Sequence, residues 1–280
     1  AVPNMEIHVS TQANNTNYKS AQMWYKLGAQ RVVVARELSM KEIRQIRDSI
    51  PEDMEIEAFV HGAMCISYSG RCLLSNYLAG RDANKGACAH PCRWKYHLVE
   101  ETRPGEYMPI EENERGTYIY NSKDLCMIEH IPDIAKAGIY SLKIEGRMKK
   151  KEYSAYLSSL YRHYVDVYES EGKETFQALV QNKESRLWKD IRRSKDIYNR
   201  GGFCAGYLFE TDKKNIMYPK KNGHFGTCVG TVLKASKGQA VFRVKEALHY
   251  QDILEFRLED DTKAYEYTVK NEAAPGDIVT

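Results

Sequence analysis

No stretch of this 280-residue chain approaches the run of roughly 18 apolar residues that a membrane-spanning helix needs. The N-terminus has neither a basic leading segment nor the apolar run of a secretory signal. Charge of one sign is not in excess: 41 Lys and Arg stand against 38 Asp and Glu, a net +3. That balance does not by itself announce a polyanionic partner, so the distribution of charge matters more than its sum. Also missing are the His-Glu-x-x-His pair of zinc proteases, the Gly-x-Ser-x-Gly elbow, the Gly-x-Gly-x-x-Gly dinucleotide loop and the Walker phosphate loop. With 28% charged and 42% apolar residues, the composition is that of a globular chain able to bury a sizeable core. A cytoplasmic setting, with no membrane partner, is the expectation.

Cysteine, by contrast, is concentrated. Four of seven fall in "HGAMCISYSGRCLLSNYLAGRDANKGACAHPC", at Cys65, Cys72, Cys88 and Cys92, with six, fifteen and three residues between them. In a reducing compartment such a group suggests metal ligation before disulfides, and the odd total weakens a disulfide framework further. Thiolates converging from a glycine-containing loop suit an iron-sulfur cluster. Structural zinc competes, although zinc sites usually draw on tight Cys-x2-4-Cys pairs and only Cys88 and Cys92 fit. Spacing favours iron-sulfur modestly and leaves both readings open. Cys126 in an expected helix, Cys204 in "GGFCAGYLF" and Cys228 in an expected strand read as buried structural thiols.

The first 60 residues alternate between strand and helix: a strand near Ile7 to Val9, a helix from Asn17 to Leu27, and a strand from Arg31 to Ala35. A helix capped by Ser39, with Glu42 three residues on, and a strand from Met54 to Val60 follow. Gly28 and Pro51 mark the two helix ends. After the cysteine-rich insertion the rhythm resumes with "GTYIY" as a strand, a Ser122-capped helix interrupted near Pro132 and a stop at Gly138. A strand in "IYSLKIEG" and a helix from Lys151 to Tyr168 complete it. Four principal βα units imply parallel strands with helical crossovers, either an open sheet or half of a closed barrel. Tyr153, Leu157, Leu160, Tyr161, Tyr164 and Tyr168 recur at helical spacing and read as core. From about His224 the period changes to short alternating strands, "GTCVGTVL", "QAVFRV", "DILEFRL" and "AYEYTV", the pattern of a small β-barrel cut before its last strand.

In parallel α/β folds the chemistry sits beyond the carboxyl ends of the strands. Those positions carry Gln12, Arg36, Glu37, His61, Lys143, Glu145 and Arg147. Buried charges must be paired, so such residues form either a reactive site or an internal salt-bridge network. Between Lys183 and Arg200 seven Lys or Arg stand against three acids, with Lys213, Lys214, Lys220 and Lys221 beyond. This is a basic stretch that fits either a solvated face or a polyanion site.

"EAFVHGAMCISYSGRCLLSNYLAGRDANKGACAHPCRWKY", with "GTYIYNSKDL" and "SLKIEGRMK", resembles the U32 family, the collagenase-like peptidases. The likeness runs from about Ile7 to Arg200 and is strongest to the branch that hydroxylates the wobble uridine of tRNA, using prephenate, to 5-hydroxyuridine. It implies a TIM-like barrel and a 4Fe-4S cluster on Cys65, Cys72, Cys88 and Cys92. Family members carry further βα units ahead of the segment resembling "EIHVSTQAN", which begins here at residue six. The expectation is a truncated chain: the C-terminal half of a TIM-like barrel over residues 1–172, with a Cys-rich insertion at 61–116. A basic helical linker at 173–223 and a small β-barrel at 224–280 would follow. A homo-oligomer or a partner subunit is one way to supply the missing half. From their strand-end chemistry Gln12, Arg36, Lys143 and Arg147 are candidates to bind a dicarboxylate such as prephenate. Glu37, His61 and Glu145 are candidates for proton transfer. Lys189, Arg192 and Arg193 are candidates to contact tRNA phosphates. The alternatives are a collagenase-like peptidase and a non-catalytic RNA-binding module with a structural zinc site.

Overall fold

In the computed structural model the long strand Glu55–Ala63 organises the first of two compact units, residues 1–225 and 226–280. The structure describes residues 4–94, 96–99, 101–102, 104–105, 107–109, 121–146, 148–209, 216–218, 223–236, 238–258 and 263–280. Arg147, the expected strand at 116–120 and the lysines at 213, 214, 220 and 221 lie outside the described residues.

The first unit runs β1 (His8–Val9), α1 (Tyr18–Lys26), β2 (Arg31–Val33), α2 (Met40–Ser49), β3 (Glu55–Ala63) and α3 (Leu74–Ala79). Then come β4 (His97–Val99), β5 (Tyr107–Pro109), β6 (Asp124–Cys126), α4 (Ile131–Lys136), β7 (Ser141–Glu145), α5 (Lys151–Gln181), α6 (Arg186–Ile197) and β8 (Phe203–Cys204). β1, β2 and β3 pair in parallel, and β7 joins β3 in parallel with Phe59 opposite Lys143. β6 pairs antiparallel with the end of β3, His61 opposite Cys126, and carries β8 in parallel. This is a mixed, largely parallel α/β sheet, and no strand closes it into a barrel among the described residues.

Local chemistry explains most of these elements. Asn17 accepts the Ser20 amide at 3.0 Å to start α1. Ser39 and Glu42 form a reciprocal capping box at the start of α2. Two expectations are corrected. Ser122 caps no helix: residues 124–126 are a strand, and the helix begins at Ile131 with Pro132 in its first turn, where a missing N–H is no loss. Cys126 therefore lies buried in a strand. The long helix also continues past Tyr168 to Gln181, bending at Gly172, whose φ of 82° interrupts the helical backbone.

Tyr153, Leu157, Leu160, Tyr161 and Tyr164 are buried against the sheet, with Tyr168 packed at the edge of the same core. Residues 173–223 contribute Phe176, Leu187, Ile191 and Leu208 to it. The polar side of α6 exposes Lys189, Arg192 and Arg193. No helix among the described residues is long and apolar enough to cross a membrane.

The second unit contains β9 (Gly230–Ser236), β10 (Gln239–Val244), β11 (Ile253–Arg257), β12 (Lys263–Thr268) and β13 (Ile278–Val279). β10 pairs antiparallel with β9 and β13, and β11 with β12, around Phe242, Val244, Leu248, Leu254 and Val269. Cys228 is exposed, just ahead of β9, rather than buried within a strand.

Candidate functional site

Near its end β3 takes a backbone conformation that only glycine makes comfortably. Gly62 has φ +95°, and a Cβ there would press on the Glu145 carbonyl and lie 2.9 Å from the Tyr153 hydroxyl. The carbonyl of Met64 then accepts Arg93 Nη2 at 2.7 Å and Ser122 Oγ at 2.9 Å, which fixes the exit of the strand just before Cys65.

The loop beyond is tied down residue by residue. Glu37 accepts both the amide and the hydroxyl of Ser69, each at 2.9 Å, and Asn14 donates to the Ser69 carbonyl at 2.8 Å. Gly70, at φ +71°, packs on the Gln12 backbone. Asn84 grips Cys72 twice, accepting its amide at 3.1 Å and donating to its carbonyl at 3.0 Å. The Ser75 hydroxyl accepts the Ala89 amide at 3.0 Å, and the His90 amide points at the Cys88 sulfur at 3.3 Å.

Thus the loop brings the four predicted cysteines into one electrostatic neighbourhood. Desolvation raises the Cys65 thiol, with Arg36 pulling it down and Cys72 and Cys88 pushing it up. Desolvation likewise pushes Cys92 up to about 11, with Cys65, Cys88 and Cys72 adding to the rise against Arg93. Among the described residues no three His, Cys, Asp or Glu side chains close up as ligands of a single metal ion.

Arg36, Glu37 and Glu145 join this neighbourhood from the ends of β2 and β7. Arg36 reaches Glu145 at 3.4 Å and stacks over Phe59 at 3.5 Å. Lys143 lies one layer below, 2.7 Å from Glu57, which also accepts Ser141 and pairs with Arg31. Both halves of the sequence-level alternative are therefore present: the strand-end charges converge, and Arg36 and Lys143 have internal carboxylate partners.

His61 stands apart. It is 1% exposed and edge-on to Tyr153, Tyr161 and Phe203. The Tyr161 hydroxyl donates to Val60 O at 2.7 Å and accepts the Met127 amide, so His61 Nδ1, 3.3 Å away, is the donor to it. Its Nε2 has no hydrogen-bond partner among the described residues, and burial holds the imidazole neutral, down at about 3.

Sequence reasoning missed a second group beside the loop. Arg200, counted in the basic stretch, is only 4% exposed and pairs with the buried Asp124 at 2.8 Å. Arg93 is 7% exposed. Lys149 sits 2.9 Å over the Tyr198 ring; burial, with Arg200 and Arg93 beside it, pushes it down to about 7. Only the cysteine motif and "SLKIEGRMK" place His90, Arg93 and Lys149 near anything notable; no sequence signal singles out Arg200.

A mainly parallel sheet whose strand ends meet a cysteine-bearing loop and paired charges defines a mixed α/β protein. The chain belongs to peptidase family U32, whose model matches residues 1–218. It is 43% identical over 203 aligned residues to tRNA hydroxylation protein P of Escherichia coli K12, covering 59% of this chain and 45% of that protein. To tRNA hydroxylation protein P1 of Bacillus subtilis 168 it is 47% identical over 166 residues, 59% of this chain and 39% of the relative. To the 23S rRNA 5-hydroxycytidine C2501 synthase of E. coli K12 it is 30% identical over 247 residues, 88% of this chain and 36% of the relative. The chain thus spans less than half the length of these three relatives. No solved structure matches it.

Proposed function

We propose that this chain forms part of an RNA-modifying enzyme that hydroxylates the wobble uridine of tRNA to 5-hydroxyuridine, with prephenate as co-substrate, in the cytoplasm. The names of its tRNA- and rRNA-hydroxylating relatives support the reaction class. The observation that supports the reading is the Cys65–Cys92 loop, which follows β3 directly and whose four cysteines influence one another electrostatically. In this reading the sheet is the C-terminal half of a TIM-like barrel, and residues 226–280 form a small β-barrel.

The donor set fits an iron-sulfur cluster. Four thiols share one neighbourhood, a backbone N–H points at the Cys88 sulfur, and Arg36 supplies positive charge beside Cys65. Cys65, Cys72, Cys88 and Cys92 would hold the group, and it would supply electron-transfer chemistry. Glu37 acts through Ser69, holding the loop, and Asn84 fixes the backbone of Cys72. Glu145 orients Arg36 and is the carboxylate best placed for proton transfer at the strand ends. Lys189, Arg192 and Arg193 offer phosphate contacts along α6. A peptidase reading gains nothing from His61, which faces Tyr161 in the core.

The test is anaerobic purification with iron, sulfide and zinc counted per chain, followed by a tRNA hydroxylation assay with prephenate. We expect about four iron and four acid-labile sulfide per chain, lost in Cys88→Ala together with hydroxylation. Zinc without sulfide, or iron retained by Cys88→Ala, would overturn the reading.

A further inference from the structure

The cysteine loop carries a repeated unit, "YSGR" at 68–71 and "YLAGR" at 77–81. In each, a tyrosine is followed by a glycine in the left-handed region, Gly70 at φ +71° and Gly80 at φ +61°, and then directly by an arginine. Both tyrosines stand out from the surface, Tyr68 72% and Tyr77 86% exposed, and Arg71 and Arg81 are exposed with them.

The helix between the two units, α3, is inverted relative to an ordinary surface helix. Its buried residue is Ser75, whose hydroxyl accepts the Ala89 amide, while Leu74, Tyr77 and Leu78 face outward. Apolar side chains grouped in water are unfavourable, so such a display marks a contact surface. It is also held in place: Glu37 and Asn14 fix Ser69, Gly70 packs on the Gln12 backbone, and the Gly80 amide closes α3 on the Asn76 carbonyl at 2.8 Å.

Charge indicates the partner. From Ile66 to His90 the loop has Arg71, Arg81 and Lys85 against Asp82, which accepts the Asn84 amide and lies 3.8 Å from Lys85. Aromatic rings displayed among cations suit a polyanion whose own flat groups are uncovered: a tyrosine ring takes the face of a base, and an arginine takes a phosphate beside it. A duplex offers the phosphates but keeps its bases stacked on one another.

We propose that Tyr68 with Arg71, and Tyr77 with Arg81, are two equivalent grips for unpaired RNA nucleotides, the ring stacking on a base and the arginine meeting a phosphate. The proposal rests on the reading above for RNA as the partner. It adds where and how unpaired bases are held, apart from the phosphate contacts of α6.

The experiment is fluorescence anisotropy of the anaerobically prepared chain with labelled oligouridine and with a blunt RNA duplex of equal length, repeated in Tyr68→Ala, Tyr77→Ala, Tyr77→Phe and Arg81→Gln. Each alanine variant is expected to weaken oligouridine about tenfold, with its salt slope and the duplex affinity unchanged. Tyr77→Phe keeps the ring and should keep the affinity. Arg81→Gln should flatten the salt slope by about 0.7, one single-strand phosphate. The three positions are exposed, so circular dichroism should not change. No binding of oligouridine by the unaltered chain, unchanged affinity in both alanine variants, or equal loss for duplex and single strand would overturn the proposal. So would sedimentation showing an oligomer that Tyr77→Ala dissociates without altering RNA affinity, which would assign the display to a second copy of the chain. Hydroxylation of tRNA by a chain whose alanine variants bind oligouridine normally would sink the grips and leave the enzyme reading standing. Ring-dependent oligouridine binding by a chain that neither holds iron nor hydroxylates tRNA would do the reverse.

Discussion

His61 provides the sharpest test of the core around the strand ends. An imidazole free in the unfolded chain titrates near 6.5, whereas burial among Tyr153, Tyr161 and Phe203 holds it down at about 3. Because the folded value is the lower one, the unfolded chain binds the proton first as pH falls. Stability is unaffected above about 6.5 and declines between about 6.5 and 3. Each pH unit in that window costs about 1.36 kcal/mol, so about 2 kcal/mol is lost by pH 5. That is a large part of the 5–15 kcal/mol typical of a folded domain. Tyr153, Tyr161 and Cys126, the titratable groups around the ring, are all pushed upward and stay neutral in this range. The assay is urea denaturation at pH 7.5, 6 and 5 for the unaltered chain, His61→Phe and His61→Gln. Carboxylate titrations elsewhere affect all three alike, so the difference isolates His61. The unaltered chain should lose about 2 kcal/mol more than either variant between pH 7.5 and 5. Parallel pH profiles, or an imidazole NMR titration centred near 6.5, would refute the assignment of His61 as a neutral core residue and restore it as a proton-transfer candidate.

Two further outcomes are expected. Gly70→Ala sets a Cβ against the Gln12 carbonyl at a positive φ, so the loop must shift; it should cost about 1–3 kcal/mol in denaturation and reduce bound iron, and wild-type values for both would show that the loop is not held there. Lys189→Ala with Arg192→Ala should weaken tRNA binding and flatten its salt dependence by about two phosphate contacts; an unchanged slope would return the exposed side of α6 to ordinary solvated surface.

Features whose causes are local follow from the chain's own residue pattern. Ser39 and Glu42 cap α2 because three residues separate them, and the tyrosines of α5 bury because they recur at helical spacing. The alternating hairpins beyond residue 226 and the cysteine loop with its family motif are legible for the same reason. Residues 124–126 were not: so short a segment fits helix or strand equally until β3 and β8 pair with it on both sides. Nor could the sequence say which charges are committed. Lys143 meets Glu57 across 86 residues, Arg36 meets Glu145 across 109, and Arg200 meets Asp124 across 76. Nothing in local spacing distinguishes Arg200, which is buried, from Arg192, which faces water on the neighbouring helix. Only the folded sheet decides that, because a charge acquires its partner, its desolvation and its chemistry from segments that meet in space.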